Sequence, residues 1–222
     1  MRILIQLTIL YLFSSPQVFA QSSRTITYHH FYQIRQFQNK QAYSVEAYGA
    51  LYIQNDTLSI YRLSREEKDL ANKFDLSSKE SHHAFVRPLT TMKGYEVVNT
   101  SNEHIFIERT SDTSKWEILS DRDTILNIPC IAAFKDSTLA WYAPSMPLPA
   151  GPFGVAGLPG TILKIYDLKY QYLVEATAFI DTIPAINCSK RMLYMTDVMY
   201  RKRQEGLRDS EARKKVKWFW QR

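Results

Sequence analysis

The sequence predicts a mainly β fold: a curved antiparallel sheet or open half-barrel carrying a C-terminal helical tail. Three observations support this. Short runs of β-branched and aromatic residues alternate in polarity with a period of two. Turn-forming clusters separate successive runs, which favours antiparallel hairpins. No crossover helix alternates with these runs, and a helical period enters only near the C-terminus.

The first run sets Ile26, Tyr28, His30, Tyr32 and Ile34 against Thr27, His29, Phe31, Gln33 and Arg35. Ala50 to Gln54 and Leu58 to Leu63 flank Asn55-Asp56-Thr57, a hairpin turn. Tyr95 to Val98 and His104 to Glu108 flank Asn99 to Asn102, a second hairpin. Further strands are expected at Lys115–Leu119, Thr124–Ile128, Thr138–Tyr142, Thr161–Tyr166 and Tyr172–Ile180. Ser64 to His83 is polar and fits either a short helix, capped by Ser64 and Glu67, or a loop. Beyond Ile186, Met192, Met195 and Met199 recur at helical spacing, predicting a helix from about Arg191 with a break near Gly206.

Met1 to Ala20 has the order of a secretory signal peptide: an early Arg2, an apolar run from Ile3 to Phe13, then Pro16 and Ala20. That run, about 11 residues, is too short to cross a bilayer, which needs ~20. Three segments follow: a signal peptide at 1–20, a β-rich domain at 21–186 and a basic helical tail at 187–222. The chain has 222 residues, with 28 Lys and Arg against 22 Asp and Glu. Nine basic and three acidic residues fall between Arg201 and Arg222, so the net charge of +6 resides in the tail. The expected setting is the periplasm or the outer-membrane periphery. There, Cys130 and Cys188 would tend to be oxidised. A bridge between them would contribute ~4 kcal/mol in the chain-entropy model; two separate buried thiols are the alternative.

Four of the seven glycines fall at 151, 154, 157 and 160, in a segment that also holds Pro144, Pro147, Pro149 and Pro152. The prolines favour a stiff extended path. Leu158-Pro159-Gly160-Thr161 has type II turn chemistry, with a positive φ expected at Gly160. The glycine spacing lacks the phosphate-loop pattern and leads into a strand, which argues against nucleotide binding.

Ala156-Gly-Leu-Pro-Gly-Thr-Ile-Leu163 resembles the motif of the GLPGLI family, exported proteins known mainly from Bacteroidota. The surrounding order agrees: Lys115-Trp-Glu-Ile118, Ile128-Pro-Cys-Ile-Ala-Ala133, Ala140-Trp-Tyr-Ala-Pro144 and Gly151-Pro-Phe153. The resemblance is strongest over about Lys115 to Phe179, and this chain departs from it by placing Thr161 where the family name has Leu. It implies an exported, β-rich envelope protein and brings no known activity.

No catalytic signature stands out. On a strand, His29 and His30 point to opposite faces and cannot readily share a metal; His82, His83 and His104 match no zinc spacing. Ser145 lacks a nucleophile elbow. Asp121 and Asp123, flanking Arg122, read as a solvated hairpin tip. No catalytic residue, metal ligand or cofactor is therefore assigned. The expected function is a non-enzymatic binding or partner-interaction module, with Trp141, Tyr142, Pro144, Phe153, Leu158, Pro159 and Gly160 as contact residues or, alternatively, as structural ones. Expected partners are an envelope protein or outer-membrane transporter. The basic, Trp-containing tail adds a peripheral membrane contact, and the export signal argues against nucleic acid. The competing expectation is a metal-dependent or redox enzyme of the periplasm using His and Cys.

Overall fold

The computed structural model describes residues 23–35, 42–64, 74–75, 83–91, 93–99, 103–110, 115–187 and 191–220. The expected signal peptide, Cys188 and most of Ser64 to His83 lie outside these residues.

The strands in chain order begin with β1 (Arg24–Arg35), β2 (Ala42–Gln54), β3 (Leu58–Ser64) and the two-residue β4 (Phe74–Asp75). They continue with β5 (His83–Pro88), β6 (Lys93–Asn99), β7 (Glu103–Thr110), β8 (Glu117–Ile125) and β9 (Ile128–Lys135). β10 (Thr138–Ala143), β11 (Thr161–Asp167), β12 (Tyr172–Ile180), β13 (Ile186–Asn187) and β14 (Arg191–Thr196) follow, and helix α1 (Asp197–Trp220) closes the described chain.

Among the described residues, twelve strands form one sheet in the order β14-β7-β6-β5-β3-β2-β1-β12-β11-β10-β9-β8. Every pairing in it is antiparallel except β14 on β7. β13 and β4 make a separate parallel pair. The mainly β, open-sheet architecture with a C-terminal helix is thus the one the sequence predicts.

The curvature follows from chain length. Nine strands stand between β7 and β8 in the sheet order. In a flat sheet that separation would be about 48 Å, at ~4.8 Å per strand. The link from Thr110 to Glu117 can reach only about 25 Å at ~3.6 Å per residue. The sheet must therefore curl until its two ends approach, and it does so without closing into a barrel.

The hairpin at Asn55 and Asp56 forms as expected, both residues taking positive φ (51° and 55°). The pairing of β6 with β7 confirms the second hairpin. Elsewhere the structure corrects local expectations. Thr124–Ile128 is not one strand: Leu126 and Asn127 (φ 51° and 63°) make a two-residue turn between β8 and β9. Asp121 and Asp123 are not at that tip but within β8, beside an irregularity between Ile118 and Arg122. The methionine stripe does not begin a helix: Arg191–Thr196 is strand β14, whose backbone completes the sheet against β7. Sheet pairing overrides the helical period there. The helix starts at Asp197 and runs through Gly206 without a break.

Two cores line the two faces of the sheet. Ile26 and Tyr28 of β1, Leu51 and Ile53 of β2, and Tyr61 of β3 join Leu158, Ile162 and Val174 in the larger. Ala50, Tyr52, Ile60, Ala84, Val97 and Phe106 form the other. Alternation along β2 sends Leu51 and Ile53 to one side and Ala50 and Tyr52 to the other, as a period of two requires.

Candidate functional site

The Pro/Gly segment between β10 and β11 forms a strap across the larger core. Its path is fixed at its C-terminal root. The Thr161 and Ile162 amides donate to the carbonyl oxygens of Met146 (2.9 Å) and Ala150 (2.8 Å). The Thr161 hydroxyl donates to Leu148 O at 3.1 Å. Thr161 is fully buried, and its hydroxyl supplies a hydrogen bond that a Leu at this position could not.

The expected turn at Gly160 takes another form. Positive φ occurs at Gly154 (72°) and Gly157 (95°) and not at Gly160. Glycine is needed at 160 for space, because a Cβ there would overlap the Ala143 carbonyl. Farther along, the Trp116 indole N–H donates to Ala156 O at 2.9 Å, tying the strap to the segment that precedes β8.

The strap presents Phe153, whose φ of 55° lies in the left-handed region that a bulky residue avoids. Its ring packs on four others at steep angles: Tyr61 (5.3 Å between centroids), His30 (5.4 Å), Phe85 (6.0 Å) and Tyr172 (6.1 Å). Sheet register assembles these partners. Tyr61 stands opposite Phe85, and His30 and Tyr32 stand opposite Val174 and Tyr172. Edge-to-face packing is worth about 0.5–1.5 kcal/mol per pair beyond area burial, which offsets the backbone strain at Phe153.

A polar thread runs beneath the rings. His30 Nε2 hydrogen-bonds the Tyr61 hydroxyl, and Nδ1 lies 3.1 Å from the Tyr32 hydroxyl. Gly49 makes room for this pair, since a Cβ there would overlap the Tyr61 hydroxyl. Burial, with a smaller push from His29, lowers the His30 pKa from 6.5 to about 3. The ring is neutral near pH 7, so one nitrogen donates and the other accepts. Burial also raises the Tyr61 phenol well above its ordinary value, and it pushes Tyr172 up to about 12.

Between the strap and the curled sheet lies a cavity of about 360 Å³, within the ordinary range for small-molecule sites. Phe85 and Arg87 of β5, Phe153 to Ala156 of the strap, and Tyr172 of β12 line it. Trp116, and Lys135 of β9, reach it from the other end of the curled sheet. The cavity thus sits where the two ends of the sheet approach.

Cations at this site differ in their surroundings. Arg109 is held by Glu96 (2.5 Å) and by Asp197 of α1. Lys135 lies 5.8 Å from the Trp116 ring centre. Arg87 is almost fully buried and donates from Nη1 to Pro149 O at 2.6 Å.

Of the seven residues singled out in the sequence, Phe153 alone lines the cavity. Tyr142, Leu158 and Gly160 are buried in the larger core or its backbone, while Pro144 and Pro159 are exposed. Trp141 is half-buried, with Lys164 Nζ 5.0 Å from its ring centre. Lys164 also reaches Asp123 (3.2 Å) and Glu175 (3.6 Å). The Thr124 amide, joined by Lys164, holds the Asp123 carboxyl below its ordinary value.

Sequence reasoning missed Phe85, Arg87, Trp116, Lys135 and Tyr172 as a group. A signal existed in Ala84-Phe-Val-Arg87, where a basic residue takes an apolar position in a strand alternation.

His30 and His104 are buried. Cys130 is buried as a free thiol, its pKa pushed up to about 11 mainly by burial, which disfavours the reactive thiolate. The tail is anchored to the sheet at its start: Thr196 caps the Met199 amide (3.3 Å), and Arg203 reaches Glu103 of β7 (3.0 Å). Among the described residues, no helix is long and apolar enough to cross a membrane.

No protein-family model matches the chain, and no curated protein matches it significantly. The solved structure of PNGF-II superposes with a TM-score of 0.59 at 14% identity, over 82% of this chain and 32% of that one. Two others align over 75% of this chain: the LolA superfamily protein NE2245 from Nitrosomonas europaea (10% identity, 89% of its length) and a DUF1329 family protein from Desulfovibrio piger (8% identity, 88%). Both have a TM-score of 0.31, too low to bear on fold or function. This chain therefore spans about a third of the length of PNGF-II, and what the two share is a fold.

Proposed function

We propose that this chain is a non-enzymatic binding module that holds a small, largely apolar ligand beneath the Phe153 strap. The observation carrying this reading is the cavity of about 360 Å³ lined by Phe85, Trp116, Phe153 and Tyr172. Aromatic walls with a few polar groups are the usual makeup of a small-molecule site. The neutral His30 ring and the raised Tyr61 and Cys130 groups serve packing and hydrogen bonding rather than proton transfer or nucleophilic attack. The signal-like Met1–Ala20 and the GLPGLI-like segment add that the module acts after export, in the cell envelope.

Fluorescence titration with the neutral probe N-phenyl-1-naphthylamine tests the reading. Saturable binding is expected in the wild type and should be lost in Val155→Trp, which fills the cavity from the strap. Binding that Val155→Trp leaves intact would place the ligand elsewhere.

A further inference from the structure

Arg87 brings a guanidinium into the body of the protein without a counter-charge among the described residues. The residue is 3% exposed and lines the cavity. Its hydrogen bond runs from Nη1 to Pro149 O of the strap. The buried Nε–H has no acceptor among the described residues. The carboxylates of β6, β7 and the start of α1 are engaged elsewhere: Glu96 and Asp197 hold Arg109, Glu108 holds Lys93, and Glu103 holds Arg203. Asp136, the acid on the cavity lining, is exposed on the turn after β9.

Buried charges are ordinarily paired, because desolvating an ion is costly. An apolar side chain would fill position 87 without that cost, so the charge is explained by something that enters the cavity. Gly94 of β6 also lines the cavity and presents no side chain beside the Arg87 stem, where a Cβ would sit 3.6 Å from Arg87 Cβ. With Nη1 engaged by Pro149, the buried Nε–H is left without an acceptor among the described residues. A carboxylate that enters beside the guanidinium would supply one through a charge-assisted N–H···O bond. A single uncompensated guanidinium suits a monoanion better than a phosphate dianion.

Building on the cavity reading, we infer that the site selects amphipathic carboxylic acids. The carboxylate meets Arg87, and the apolar body lies against Phe85, Phe153 and Tyr172. Lys135, on the same lining, adds to the positive potential.

The test displaces N-phenyl-1-naphthylamine from the purified chain with dodecanoic acid or with methyl dodecanoate, at about pH 7.5, where the acid is ionised. The acid should displace the probe at a concentration about tenfold lower than the ester. Arg87→Gln, with acid and ester each compared against its own probe affinity, should bring the acid to the level of the ester. Arg87→Lys should keep an intermediate preference. Equal displacement by acid and ester from the wild type overturns the inference, as does a folded Arg87→Gln that keeps the preference. The wild-type comparison decides the matter even if Arg87→Gln fails to fold. Absence of probe binding removes the cavity reading itself; probe binding with acid–ester parity removes only the carboxylate.

Discussion

The ring of Phe153 meets that of Tyr61 at 5.3 Å and 61°, and this contact holds Phe153 in a backbone conformation it would not adopt alone. The strap residue is strained, the sheet residue is fully buried, and the cavity opens beside them. Packing on the sheet and access to the cavity therefore depend on the same ring.

Replacing Phe153 should separate strain from packing. Phe153→Ala loses the ring contacts and keeps an unfavourable φ, while Phe153→Gly loses the contacts but relieves the backbone. Both variants should be destabilised, with the Gly variant more stable by about 1 kcal/mol in urea unfolding. An Ala variant as stable as the Gly variant would mean that the left-handed conformation at 153 costs nothing.

Two glycines make a contrasting pair. Gly160→Ala drives a Cβ into the Ala143 carbonyl and should lower stability by about 2 kcal/mol. Gly206→Ala, in a helix with nothing within 4 Å of the new atom, should raise it by up to about 1 kcal/mol. Thermal melts of the two variants against wild type check both signs.

His30 should make the fold acid-sensitive. Its folded pKa is about 3, below the ordinary 6.5, so between those values the unfolded chain takes up a proton that the folded chain refuses. Its contribution to stability is complete above about pH 6.5 and declines as the pH falls toward 3, with a slope of at most about 1.4 kcal/mol per unit. His30→Gln cannot titrate, and its stability should vary less steeply than wild type over that window. Parallel curves would show that His30 is not the sensing group.

The sheet was legible from sequence because alternation over β1 to β3, β6 and β7 is a local property. The cavity was not, because its walls come from strands far apart in the chain, brought together by the curl between β7 and β8. Phe153 was found through the density of Pro and Gly around it. Arg87 escaped notice because one basic residue in a strand looks like surface until its burial is known. The β14 methionines misled for a related reason: Met192 and Met195 fit a helical period, but the open edge of β7 supplied hydrogen-bond partners for a strand. The tail's charge is a matter of composition, whereas its attachment through Asp197 and Arg203 depends on tertiary contacts with Arg109 and Glu103.

The most direct measurement is a crystal structure of the chain grown with a bromine-labelled, neutral apolar ligand, since anomalous scattering locates the bromine without reference to the protein. A single strong peak is expected between the strap and the sheet, bordered by Phe85, Trp116 and Tyr172. A peak on the exposed surface of β14 and α1, near Tyr194 and Met199, with the strap cavity empty, would contradict it.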